Sequence, residues 1–146
     1  MRGHYIFIAF NERFCVFLSD FAPLGISFSF VAALCPPCVL RVVRQTGGPG
    51  CSSSLALLGE NGPCSVNEHG DGTVPNPHSW NENAHALWLD QPTGVGYSYG
   101  AIDDHSEEMV GENAYYFLQS FLQSHPEYAK NPLFITGESY AGHYGK

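Results

Sequence analysis

Leu133-Phe134-Ile135-Thr136-Gly137-Glu138-Ser139-Tyr140-Ala141-Gly142 is the stretch on which the fold turns. Four residues rich in apolar and β-branched side chains, halted by a glycine, predict a short strand running into a turn. Ser139 sits two residues after Gly137 and is followed by Ala141 and Gly142. A serine hydroxyl is a weak nucleophile until it is held exposed beside a base and an anion-binding site. A sharp strand-to-helix elbow meets the first need, and small residues must flank it because neighbouring backbone comes close. The usual spacing is G-x-S-x-G, so Ala141 is a variation on it. The Tyr140 backbone N–H, just past the serine, would donate to an oxyanion that develops in the transition state. The same letters also fit a strand–helix turn with no chemistry. The strand directly before them favours Ser139 as the nucleophile position.

Upstream, from Ser106 to Ser124, Val110, Ala114, Phe117, Leu118, Phe121 and Leu122 recur at spacings of three and four. That period predicts an amphipathic helix. Asp103, Asp104, Glu107 and Glu108 stand near the positive end of its dipole, and Pro126 lies beyond its end. Before it, Ala86-Leu87-Trp88-Leu89 ends at Asp90-Gln91-Pro92-Thr93-Gly94, which reads as a buried strand leaving into a loop. Strand, helix, strand and turn form a βαβ unit, so the expected class is α/β with a parallel sheet whose strands are buried on both faces. Ligands bind such sheets at the carboxyl ends of the strands, where Ser139 falls.

Gly47-Gly48-Pro49-Gly50 is suited to supply a second oxyanion donor, because residues without Cβ let a backbone N–H approach a substrate carbonyl. Pro49 has no N–H, which leaves Gly48 as the candidate. A purely structural turn fits the same residues. His143 is the only histidine after Ser139 and lies in the first turn of the predicted helix, so it does not approach the hydroxyl as a general base must. His69, His78, His85 and His105 are read as loop histidines without metal-ligand spacing. Neither a metal nor another cofactor is expected.

With 44% hydrophobic and 14% charged residues in 146, the chain is globular rather than disordered in composition. Residues 1–44 carry a net charge of +2 and residues 45–146 carry −10. The acidic balance argues against nucleic acid, whose phosphates need clustered Lys and Arg. It also divides the chain near Thr46 into an atypical apolar segment, 1–44, of no assignable fold, and a main segment, 45–146. Met1-Arg2 and Ile6–Phe10 begin a secretory pattern that Asn11-Glu12-Arg13 breaks. Pro23, Gly25, Pro36 and Pro37 make Phe21–Leu40 a poor spanning helix, so membrane anchoring is not expected. Cys35-Pro36-Pro37-Cys38 has redox-like spacing, but two prolines disfavour the helix such a motif opens. Cys51 and Cys64 flank a Gly/Ser-rich stretch, and in a secreted protein disulfides are expected there. Oligomeric state is not legible.

Five motifs occur in one order: Gly47-Gly48-Pro49-Gly50-Cys51-Ser52-Ser53, Glu60-Asn61-Gly62-Pro63, Pro77-His78-Ser79-Trp80-Asn81, Leu89–Tyr99, and Gly137–Tyr144. Together they resemble the serine carboxypeptidase family from about Gly47 onward, roughly the first third of its catalytic domain. The resemblance implies an α/β-hydrolase sheet, here partial and truncated after the nucleophile elbow, in a secreted or vacuolar/lysosomal setting. It implies action on the C-termini of peptides and proteins. Ser139 matches the nucleophile, Gly48 and Tyr140 the oxyanion donors, and Glu60 and Glu138, with Gly47 and Thr46, the group that binds the substrate's terminal carboxylate. A protonated glutamic acid can donate to a carboxylate where an ionised one repels it, which would couple binding to an acidic compartment.

Two departures bear on function. Where the family carries Trp-Leu-Asn before the glycines, this chain has Arg44-Gln45-Thr46, and no strand is evident ahead of that loop. Thr46 offers a hydroxyl in place of the amide's two donors. The second departure concerns the triad, whose order in such folds is Ser, acid, His. Only Tyr140 to Lys146 follow Ser139, with no acid among them. The expected reading is a serine-type carboxypeptidase by resemblance, inactive as these residues alone. The alternatives are a non-catalytic, peptide-binding product, or a relative that transfers acyl groups.

Overall fold

The computed structural model describes residues 5–10, 13–18, 30–33, 41–100 and 104–145. A six-stranded sheet is built from β1 (Tyr5–Phe10), β2 (Arg13–Leu18), β3 (Phe30–Ala33), β4 (Arg41–Gln45), β7 (His85–Leu89) and β8 (Leu133–Gly137), in the order β1-β2-β3-β7-β4-β8. The first three strands pair antiparallel, and β3 joins β7 antiparallel. Both β7 and β8 lie parallel to β4, one on each side of it. Helix α1 (Ser54–Gly59) and a hairpin, β5 (Cys64–Val66) with β6 (Thr73–Pro75), fill the connection from β4 to β7. Helix α2 (Glu107–Ser124) carries the chain from β7 across β4 to β8, and α3 (Ala141–Tyr144) follows β8. The architecture is mixed α/β, consistent with part of an α/β-hydrolase-like sheet.

Strand β7 explains why an unbroken apolar run reads as a strand. Leu87 and Leu89 face α2, packing with Val43 against Ala114, Phe117 and Phe121. Ala86 and Trp88, on the other face, pack against Ala56 and Leu57 of α1. Period-2 alternation is absent from its sequence because both faces are covered. The buried indole of Trp88 donates from Nε1 to Asn61 Oδ1 at 2.9 Å, which fixes the Glu60–Pro63 segment over the sheet. Phe117 is fully buried, and removing it from water contributes about 1.5–3 kcal/mol.

Helix α2 forms where its periodicity places it. Ser106 caps it, its hydroxyl accepting from the Met109 N–H at 3.3 Å, and Val110, Ala114, Phe117 and Phe121 form the buried stripe. It stops at His125, whose N–H reaches the Phe121 carbonyl at 2.9 Å before Pro126 opens a 3-10 turn.

Four expectations are corrected. A strand does precede the glycine loop: β4 is central, although only Val42 and Val43 in it are apolar, because its Arg44 is buried against acidic partners. Strand β8 is not buried on both faces; Leu133, Phe134 and Ile135 are exposed, since among the described residues no strand lies beyond it. His85 begins β7 rather than a loop, with its ring 4.8 Å from that of Tyr128. Cys51 and Cys64 are both free thiols; one ends the glycine loop and the other opens the β5–β6 hairpin, with α1 between them. Residues 1–44, given no fold from sequence, include β1 to β3. Cys35, Cys38 and Asp103 lie outside the described residues.

Candidate active site

Parallel pairing of β4 and β8 ends with Gln45 opposite Gly137, and the Glu138 N–H extends it by donating to the Gln45 carbonyl at 3.3 Å. The chain therefore leaves both strands at the same level and on the same edge. The glycine loop and the Ser139 turn emerge side by side. Their contact is backbone on backbone: a Cβ on Gly47 would lie 2.5 Å from the Tyr140 nitrogen and 2.7 Å from the Glu138 oxygen. The loop closes through the Cys51 N–H, which donates to the Gly47 carbonyl at 2.9 Å. Gly48 at φ 115° and Gly50 at φ 82° adopt backbone that side chains disfavour, and both are exposed at the rim.

Ser139 has φ 55°, the only non-glycine residue with positive φ among the described residues. Such a conformation costs about 1–3 kcal/mol and persists only where its surroundings enforce it. Here the Ala141 N–H donates to the Glu138 carbonyl and the Gly142 N–H to the Ser139 carbonyl, each at 3.1 Å, so α3 starts directly at the turn. Gly137 lacks the Cβ that would stand 2.8 Å from the Ala141 oxygen. The result is an exposed serine between strand and helix.

Asp90, at the end of β7, braces the glycine loop from the other side. Its Oδ1 accepts from the Ser52 hydroxyl at 2.6 Å and from the Ser53 N–H at 2.8 Å, while Oδ2 accepts from the Tyr97 N–H at 3.2 Å. The Ser53 hydroxyl donates to the Leu89 carbonyl at 2.6 Å and accepts from the Thr46 N–H at 3.1 Å. Three loops, from β4, β7 and β8, thus share one edge. This geometry makes Asp90 a brace of the glycine loop, signalled in sequence by its place directly after an apolar strand.

Arg44 is the residue that sequence reasoning missed. It is buried, and its Nη2 donates to Glu60 Oε2 at 2.9 Å and to Glu138 Oε2 at 2.8 Å. A second nitrogen, Nη1, donates to the Gln45 carbonyl. One guanidinium therefore ties β4, the end of α1 and the Ser139 turn. Thr46, expected to meet a substrate carboxylate, has a buried hydroxyl with no partner among the described residues.

His143 turns to Glu107, with Nδ1 3.5 Å from Oε2, and stacks on Tyr140 at 4.7 Å. The Tyr140 hydroxyl donates to Glu107 Oε1. That hydrogen bond, followed by burial, raises the Tyr140 pKa. Tyr144 is raised chiefly by burial, against a hydrogen bond with the Gly50 backbone that lowers it. Ser139, Gly47, Gly48, Tyr140, Glu60 and Glu138 are thus gathered at one edge, while His143 faces α2.

Residues 42–145 match the family described as serine carboxypeptidase. Serine carboxypeptidase 3 of Oryza sativa subsp. japonica is 48% identical over 106 residues, 70% of this chain and 21% of that protein. Carboxypeptidase Y of Candida albicans is 50% identical over 103 residues, covering 70% of this chain and 19% of its own length. The vacuolar serine-type carboxypeptidase ATG42 of Saccharomyces cerevisiae is 48% identical over 103 residues, 70% of this chain and 20% of that protein. The chain thus spans about a fifth of the length of the curated relatives it matches. Among the described residues, no helix is long and apolar enough to cross a membrane.

Proposed function

Because this chain belongs to the serine carboxypeptidase family, we propose that Ser139 stands at the nucleophile position of a serine-type site that acts on the C-termini of peptides in the whole protein. Gly48 and Tyr140 supply the backbone N–H groups for the oxyanion, and Glu60, Glu138, Gly47 and Thr46 face the substrate's terminal group. The observation that carries this reading is the Gly47–Tyr140 backbone contact, which seats the glycine loop against a serine held at φ 55°. An exposed serine on a strained turn beside unhindered backbone donors is the arrangement acyl transfer requires.

Among the described residues, His143 is engaged by Glu107 and Tyr140 rather than turned to Ser139. On this reading these residues contribute a peptide-binding edge whose serine is not activated by His143. A vacuolar or secreted setting is proposed with the same reading, in keeping with the vacuolar relative. Treatment with a fluorophosphonate probe is expected to leave Ser139 unlabelled, whereas rapid labelling abolished by Ser139→Ala would show that the serine is activated after all. Amide chemical shifts followed during addition of an N-acyl dipeptide are expected to move at Gly47, Glu60 and Glu138. Shifts confined to other parts of the chain would remove the assignment of this edge.

A further inference from the structure

We infer that Asp90 is a positioning residue for the oxyanion site: its two carboxylate oxygens fix the Ser52–Ser53 end of the glycine loop and thereby the place of the Gly48 N–H. The inference rests on the reading of Gly48 as an oxyanion donor.

The loop needs such a hold. Gly48 and Gly50 are exposed and carry no side chain that could be buried as an anchor, so the loop is placed by its ends. At one end Gly47 is packed against the backbone of Glu138 and Tyr140. At the other, the Ser52 hydroxyl and the Ser53 N–H donate to Asp90 Oδ1 at 2.6 and 2.8 Å. The Ser52 oxygen also accepts from the Ser54 N–H at 3.1 Å, which leaves its own proton for Asp90. Position matters here because a donor serves an oxyanion only within roughly 2.7–3.1 Å.

Asp90 is held in turn from the far side. Its Oδ2 accepts from the Tyr97 N–H at 3.2 Å, and its carbonyl accepts from the Ser98 hydroxyl at 2.8 Å. A Cβ on Gly96 would lie 2.1 Å from Oδ2 and 2.9 Å from the Ser52 hydroxyl oxygen, so this turn closes tightly over the carboxylate. Asp90 is 3% exposed, and among the described residues no Lys, Arg or His pairs with it. A carboxyl group so buried is costly unless donors surround it. The donors to its two oxygens all come from the two loops that flank it at this edge. Both oxygens accept, a role that asparagine, with one acceptor oxygen and one donor nitrogen, fills on one side only.

Backbone nitrogen-15 relaxation of the 146-residue chain tests the inference without a ligand. Order parameters at Gly48 and Gly50 are expected to stand at about 0.85 in the parent and to fall below about 0.6 in Asp90→Asn, with Val110 of α2 unchanged. Ser52→Ala, which removes one donor to Oδ1, is expected to lower the same two glycines by a smaller step. Unchanged values at Gly48 and Gly50 in Asp90→Asn, or an equal fall at Val110, overturn the inference. Where Asp90→Asn fails to fold, unchanged values in Ser52→Ala overturn it. Addition of an N-acyl dipeptide then separates positioning from plain stability. The amide shift at Gly48 is expected to be lost in the variants while shifts at Glu60 and Glu138 remain, and a Gly48 shift as large as the parent's overturns the inference. A parent chain that shows no shift along this edge overturns the proposed function, and the relaxation comparison still decides whether Asp90 places the loop.

Discussion

The space that a Gly47 side chain would need is occupied by the backbone of Tyr140, 2.5 Å from where its Cβ would sit. Backbone cannot swing aside as a flexible side chain does. Gly47→Ala is therefore expected to destabilise the chain by about 1–3 kcal/mol, the cost of forcing extra volume into a packed contact. Gly142 provides the control, because a Cβ there meets nothing within 4 Å. Gly142→Ala is expected to be neutral or to stabilise by up to about 1 kcal/mol, as alanine in a helix does. Urea midpoints of the two variants check the contrast; equal midpoints would mean that the loop and the Ser139 turn are not in contact.

Trp88 depends on a partner outside its own strand. Its buried indole N–H donates to Asn61 Oδ1, and Asn61 is itself buried. Asn61→Leu removes the acceptor while keeping much of the volume, which leaves the indole unsatisfied at a cost of about 1–3 kcal/mol. Loss of stability by denaturant titration, together with a change in the near-ultraviolet signal of Trp88, is the expected outcome.

Much of this arrangement is legible in the sequence, for local reasons. Helix α2 announces itself through the spacing of Val110, Ala114, Phe117 and Phe121 and through Ser106 and Pro126 at its ends. The Ser139 turn is readable because Leu133–Thr136 precedes it. What escapes is set by residues far along the chain. Arg44 makes β4 look too polar for a central strand, and it is buried only because Glu60 and Glu138, 16 and 94 residues away, reach it. Strand β8 has the letters of a core strand, yet burial is a property of neighbours, and β8 stands at the edge. The brace made by Asp90 is likewise visible only once Ser52, Ser53 and Tyr97 are brought around it.

Shared engagement of Arg44 predicts a non-additive response. Removing either glutamate leaves the guanidinium one carboxylate, so Glu60→Ala and Glu138→Ala should each cost about 1 kcal/mol, as partly exposed pairs do. Removing both strands a buried charge, which costs about 3–5 kcal/mol. The double variant is thus expected to lose more than the sum of the single ones. A double-mutant cycle by urea denaturation measures the excess, and simple additivity would show that the two contacts are independent.

Alkaline pH should loosen the packing of α3 through Tyr144 and the packing at the end of α2 through Tyr128. Tyr144 is raised above the ordinary value of about 10 mainly by burial, and Tyr128 is raised by burial and by the negative charge of Glu127. A folded state that holds the phenol proton more tightly than the unfolded chain binds more protons in that range, so stability falls as pH rises. The contribution is fully present below about pH 10 and is lost as pH climbs through the raised folded-state values. Tyr144→Phe cannot ionise and keeps the ring against Val110 and Ala141. Urea midpoints measured across this range are expected to decline less steeply for Tyr144→Phe than for the parent chain, whereas parallel declines would show that Tyr144 ionises as freely folded as unfolded.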